Sequence, residues 1–268
     1  MNTQSIKTAL LKIFGEKFTA YIHALRFIYL HKIAYNPDPE VVIASKILKE
    51  GDISIDVGAN GGGWTLDLLD GAGKSGHVYA FEADPYYALA TGVFFKFMGA
   101  KRVTLFDFGL SNKTESLALR VKESDGNRST GGSFIDKAAD LKDEGVAVVE
   151  LKVLDSLVKD YPDLLRTAVI KCDVEGFELF VFQGAIETIE KARPFVILEV
   201  GHYEKQGYSN EILFDLFKQR GYQAFALIAE RKLAPLGDDL QHPNAISVNR
   251  ILAPSEKIDA IAEFIQPS

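Results

Sequence analysis

The 268-residue chain holds one cysteine, Cys172, so it closes no internal disulfide. That scarcity fits a reducing compartment, and a cytoplasmic location is expected. No stretch reaches the ~18 uninterrupted apolar residues that a membrane-spanning helix needs. The first residues do not read as a secretory leader, because Lys7, Lys12, Glu16 and Lys17 break the apolar run. Positive charge is not in excess either. The net charge of −7 counts against a general nucleic-acid binder. No Asn-Pro-Pro-Tyr or Asp-Pro-Pro-Tyr base-flipping motif is present, so no nucleic-acid partner is expected. What is abundant is apolar: 47% of residues are hydrophobic, enough for a sizeable core at this length.

Residues 4 to 33 read as helix, with Ala9, Ile13, Phe18, Ile22, Leu25 and Tyr29 close to helical spacing. Lys7, Lys12, Lys17, Arg26 and Lys32 against Glu16 alone give this segment +4. Such a helix suits docking on the core, a homo-oligomer contact, or peripheral contact with a membrane. Asn36-Pro37-Asp38-Pro39 then breaks the chain, and residues 40–48 read as a short helix. From there short apolar runs at 53–57, 77–82, 102–106, 168–173 and 195–200 alternate with helix-like segments at 63–71, 85–98, 177–191 and 209–220. Alternation of this kind predicts a mostly parallel sheet with helices on both faces. Residues 116–121 and 146–153 read as extra strands around a polar, glycine-rich insertion. The runs at 222–228 and 245–252 predict an antiparallel end to the sheet. The expected division is a helical appendage over 1–49, a ligand-binding domain over 50–252 and a tail over 253–268.

The first strand ends in Ile55-Asp-Val-Gly-Ala-Asn-Gly-Gly-Gly63, and the second ends at Glu82. An acid about 20 residues beyond a glycine turn is the usual ligand for ribose hydroxyls. A dinucleotide fingerprint would need glycine where Asn60 stands, and a side chain there crowds a pyrophosphate. No Gly-Lys-Ser/Thr follows the turn, and no tyrosine has a lysine four positions later. These absences count against a nucleoside triphosphate and against a nicotinamide-dependent enzyme, which stays an alternative. S-adenosylmethionine fits best: Asp56, Gly58, Asn60 and Gly61 near its amino-acid end, Glu82 on the ribose, and Asp107 and Phe108 toward adenine.

Further matching stretches are Val78-Tyr-Ala-Phe-Glu-Ala-Asp-Pro85, Gly109-Leu-Ser111, Val153-Leu-Asp-Ser-Leu157, Ile170-Lys-Cys-Asp-Val-Glu-Gly-Phe-Glu178 and Arg193-Pro-Phe-Val-Ile-Leu-Glu-Val200. With the glycine turn they run in order over roughly residues 50 to 225, and the chain resembles the FkbM family of S-adenosylmethionine-dependent methyltransferases. The resemblance implies a Rossmann-like class I methyltransferase fold with a seven-stranded sheet and an antiparallel last strand. It also implies methyl transfer to oxygen, on a hydroxyl of a sugar, glycan or secondary metabolite. A non-catalytic binding module on the same fold is the alternative, but the intact glycine turn and Glu82 show no decay.

In a parallel sheet the ligand lies beyond the carboxyl ends of the strands, where Asp173, Glu175, Glu199 and His202 fall. A hydroxyl acceptor must lose a proton, and His202 is the expected general base because its ordinary pKa of about 6.5 suits the task. Asp173 and Glu199 are the other expected catalytic residues. Glu175 reads as a cap for the next helix, and Glu178 as helix surface or a salt-bridge partner. A divalent metal, magnesium by ligand chemistry, is a reading not favoured, since no tight ligand spacing demands it.

Overall fold

The computed structural model describes residues 3–124, 127–128, 132–143, 145–201 and 203–266. All five residues of β1 (Ile53–Val57) are buried, because the strand is central and covered on both faces. It pairs in parallel with β2 (His77–Phe81) on one side and β10 (Thr167–Cys172) on the other. Parallel pairing continues outward through β3 (Val103–Phe106) and β11 (Phe195–Glu199). The sheet is completed by β12 (Tyr222–Ala229), β13 (Lys232–Pro235) and β14 (Asn249–Pro254), in the order β13-β12-β14-β11-β10-β1-β2-β3. β14 runs antiparallel to both its neighbours, as expected. The sheet has eight strands rather than seven: the polar turn after β12 folds back as the short edge strand β13.

Alternate side chains of the strands feed two apolar layers. Val78 and Ala80 meet one set of helices, α1 (Thr3–Ile33), α2 (Val41–Ile47), α3 (Gly63–Gly71) and α4 (Pro85–Met98). Tyr79 and Phe81 meet the other, α5 (Glu178–Gln183), α6 (Ile186–Ala192) and α7 (Asn210–Lys218). Cys172 lies fully buried in this second layer, and burial pushes its thiol up. The segment expected to be one helix over 177–191 is two, parted at Gly184. A Cβ there would come within 2.1 Å of the Ser111 carbonyl oxygen, so the chain bends where it must approach that loop closely.

The insertion after β3 builds its own sheet. β4 (Gly109–Leu110), β5 (Glu115–Arg120), β8 (Phe134–Asp136) and β9 (Val146–Lys152) pair in the order β4-β9-β5-β8. β6 (Glu123–Ser124) and β7 (Asn127–Arg128) form a separate two-stranded ribbon. The inner face of the four-stranded sheet packs Leu119, Ile135, Val149 and Leu151 on Phe177.

The appendage and the tail both join the core. α1 carries a kink at Gly15 and packs its inner face on α4 through Ala20, Ala24, Phe27 and Ile28. β14 runs two residues past the expected boundary at 252, and the helical turns over Ser255–Phe264 seat Ile261 and Phe264 in the first layer.

Candidate functional site

β1 stops at Val57 and the chain turns sharply. Gly58 takes φ +82°, and Asn60 takes φ +46°, a left-handed conformation that asparagine tolerates better than most residues. The turn is held by the neighbouring strand, since the Gly58 and Ala59 N–H groups both donate to the Phe81 carbonyl. Its geometry aims the Asn60 N–H at Glu82 Oε2, 2.8 Å away. Glu82 Oε1 accepts the Asp84 N–H, also at 2.8 Å. Each carboxylate oxygen therefore carries one backbone donor and keeps a lone pair for a ligand hydroxyl. Burial pushes the Glu82 carboxyl up to about 7, against the pull of those two donors.

A cleft with about 870 Å³ of free space, part of it open to solvent, lies beyond these strand ends. That is the size range of small-molecule and cofactor sites. Gly58, Asn60 and Glu82 line one side, and Asp173 and Glu175 the other. The apolar wall comes from Leu119, Ile135 and Leu151 of the insertion sheet. Asp107 is exposed at the end of β3, and Phe108 is buried against Phe81 and Phe106 with Lys152 over its ring. Neither is among the residues that line this cleft.

A second cleft opens on the other side of the glycine turn, beneath α1. Arg26, Tyr35, Asp38, Trp64 and Lys171 line it, and it shares Gly58, Asn60 and Asp173 with the first. Gly61 lines only this second space. The roof is tied down by two hydrogen bonds, from Tyr35 Oη to Asp67 and from Trp64 Nε1 to Asp38. Trp64 thus anchors the turn that follows α1.

Asp56 lines neither cleft. It is fully buried, accepts the Thr65 hydroxyl at 2.5 Å and sits 3.9 Å from the Lys171 ammonium. Lys171 lies 3.3 Å from Asp173 and donates to the Gly58 carbonyl at 3.4 Å. Burial alone would lower its pKa, but Asp173 and Asp56 outweigh that and raise it. Lys171 stays charged and clamps β1, the glycine turn and Asp173 together. Its place in Lys171-Cys-Asp-Val-Glu-Gly176 was the signal that singles it out, though the sequence reading gave it no role.

Two acids differ from expectation. Glu175 does not cap α5, whose first turn begins after Phe177. It takes φ +55°, faces the first cleft and accepts the Gly132 N–H from the insertion. Glu178 is fully buried rather than on a helix surface. It accepts the Val174 and Gly176 N–H groups at 3.0 and 3.3 Å, so it is the residue that secures this turn. Burial pushes it up to about 7.

At the end of β11, Glu199 stands beside Asp173. Asp173, Glu175 and Glu199 each bring a carboxylate oxygen within 4.8 Å of the other two. Burial, then the charge of Asp173 and a hydrogen bond to it, pushes Glu199 up to about 8. In its protonated form Glu199 can donate to Asp173. His202 lies outside the described residues.

A sheet of this order, with a glycine turn after its first strand and an acid closing its second, defines a class I S-adenosylmethionine-dependent methyltransferase. The fit is chemical as well as topological: Glu82 offers two acceptors for vicinal hydroxyls, and the carboxylates opposite suit a cationic sulfonium. The FkbM methyltransferase domain matches residues 56–224, more than half the chain, and the chain belongs to that family. Among solved structures it resembles the FkbM methyltransferase of Methylobacillus flagellatus KT, with TM-score 0.50 and 13% identity over 91% of this chain. The chain spans 60% of that protein's length. It also matches a SAM-dependent methyltransferase from Aquifex aeolicus (TM-score 0.44, 14% identity, 84% of this chain and 97% of that one). A third match is a Streptococcus mutans putative methyltransferase in complex with SAH (TM-score 0.44, 11% identity, 81% and 98%). No curated protein matches the sequence.

Proposed function

We propose that this methyltransferase acts on a hydroxyl of a sugar, glycan or secondary metabolite, in the cytoplasm. The observation that carries the reading is the carboxylate cluster of Asp173, Glu175 and Glu199, whose oxygens lie within 4.8 Å of one another, with Asp173 on the cleft. S-adenosylmethionine, when bound, supplies a methyl carbon on a sulfonium leaving group. A hydroxyl oxygen that attacks this carbon forms a methyl ether, leaves S-adenosylhomocysteine and must give up a proton. Asp173 takes that proton in this reading, with Glu199 setting its basicity. Lys171 holds Asp173 in place, and Glu175 links it to the insertion that covers the acceptor. The screen that tests this offers hydroxyl acceptors beside amines and carboxylates and measures S-adenosylhomocysteine release. Turnover confined to amines or carboxylates ends the hydroxyl reading.

The Asp173–Glu199 pair also sets the pH dependence. While Glu199 is protonated it donates to Asp173 and weakens it as a base. Turnover is therefore expected to rise as pH passes about 8, and Glu199→Gln, which cannot ionise, flattens that limb. The sign for stability is opposite. A carboxyl raised in the fold stabilises below its unfolded pKa of 4.5 and loses that contribution as pH climbs toward about 8. A rate limb centred near about 6.5 that vanishes in His202→Gln would instead give the proton to His202. The three clustered carboxylates also have the spacing for a divalent cation. Loss of turnover on chelation, restored by magnesium, would favour that reading over proton sharing.

A further inference from the structure

α1 has two faces, and only one is used by the fold. Thr19, Ala20, His23, Ala24, Phe27 and Ile28 are buried. His23 Nδ1 meets Tyr86 Oη at 2.9 Å, which fixes the helix on α4. The opposite face is apolar and open. Leu25, Tyr29 and Ile33 are 60–67% exposed, with Phe18, Tyr21 and Ile22 beside them. Phe97 of α4 extends the patch, with the Lys32 ammonium 4.9 Å from its ring centre. Single exposed apolar residues need no explanation, but a contiguous patch of this kind marks a contact surface.

The charge on this face identifies what it contacts. Lys17, Arg26 and Lys32 are exposed there, and no acidic residue occurs from 17 to 33. Residues 17–33 carry +3 in a chain of −7, which leaves −10 on the remainder. We propose that the outer face of α1 docks on a bilayer surface bearing anionic lipid. Cations along an aromatic, apolar helix face are the pattern that lies in the headgroup plane. Tyr21 and Tyr29 suit that plane because each has an apolar ring and a polar tip. The net negative charge of the remainder favours an approach with this face toward the anionic surface. A second copy docked face to face would set two +3 surfaces against each other, so this occupant is disfavoured. Among the described residues no helix is long and apolar enough to cross a membrane, so the contact is peripheral. Arg26 and Leu30 of the same helix line the second cleft, so the docked face borders the active site. The inference is independent of which hydroxyl is methylated.

Co-sedimentation of the full chain tests it, using vesicles of phosphatidylcholine alone and of phosphatidylcholine with about one-third phosphatidylglycerol. Retention on the anionic vesicles is expected to exceed that on the neutral ones at least about ten-fold, and to fall as salt screens the cations. The double variant Leu25→Glu, Tyr29→Glu should lose that retention while binding S-adenosylhomocysteine as the wild type does, because neither residue lines a cleft. Equal retention on both vesicle types, or none on either, overturns the proposal. So does a dimer, seen by light scattering, that Leu25→Glu dissolves while wild-type chain ignores the anionic vesicles.

Discussion

Glu82→Gln should weaken S-adenosylhomocysteine binding at least about 100-fold, because two hydrogen bonds to a charged acceptor are each worth about 1.5–3 kcal/mol. The glutamine keeps the size of the side chain but offers one acceptor oxygen where the carboxylate offers two. That oxygen already has to serve the Asn60 or the Asp84 N–H group. Glu82→Ala should lose binding as fully, and also stability, since both N–H groups are then left without the carboxylate. Comparing the two variants by calorimetry and by urea unfolding separates the ligand's share from the fold's. The wild type should also bind more tightly as pH rises through about 7, where burial has moved the Glu82 carboxyl. Hydroxyls donate to the ionised form, so the bound state favours loss of the proton. In the free protein the same raised carboxyl stabilises the fold below 4.5 and loses that contribution as pH climbs toward about 7. Unchanged affinity in Glu82→Gln would remove Glu82 from the cofactor site.

The placement of Glu82 was legible in the sequence because it follows from spacing: a strand end, a turn and a second strand end fix one another in a parallel sheet. For the same reason the helices at 63–71 and 85–98 and the strands around them fall where apolar runs and caps indicate, with the Asp84 carboxylate accepting the Tyr86 N–H beside Pro85. What periodicity could not show were contacts made at long range. Gly184 ends a helix because Ser111, more than 70 residues earlier, passes against it. β13 is a four-residue edge strand closed by Pro235, too short and too polar at its ends to stand out from a turn. Glu178 reads as surface in a helical pattern, yet it is drawn inside by Val174 and Gly176 N–H groups that only the folded turn presents. The apolar cleft wall from the insertion was missed because Leu119, Ile135 and Leu151 are scattered through a segment whose polar loop dominates its composition. Lys171 was visible only as part of a motif; that it clamps Asp56, Gly58 and Asp173 depends on the ends of β1 and β10 meeting.

That meeting point is also where the largest loss of stability is expected. Gly58→Ala should destabilise the protein by ~3 kcal/mol or more, at or above the top of the usual overpacking range, because the clash is with backbone. Two separate costs contribute. Gly58 has φ +82°, where a residue with a Cβ is strained by about 1 kcal/mol. In addition, the new Cβ would lie 1.9 Å from the Asp173 carbonyl oxygen, which is backbone and cannot rotate away. Relief requires the ends of β1 and β10 to part, and they are held by the Asp173 N–H donating to the Val57 carbonyl. Gly99 provides the control. It has φ +70° at the end of α4, with nothing within 4 Å of an added Cβ, so Gly99→Ala pays the conformational cost alone. Urea unfolding of both variants therefore isolates the clash as the difference between them. Because Asp173 and the glycine turn shift together, Gly58→Ala should also lose cofactor binding under conditions where it is still folded, whereas Gly99→Ala should keep it. Equal destabilisation of the two variants would mean that the strand ends yield easily, and that the close approach of Gly58 to Asp173 does not hold the site in register.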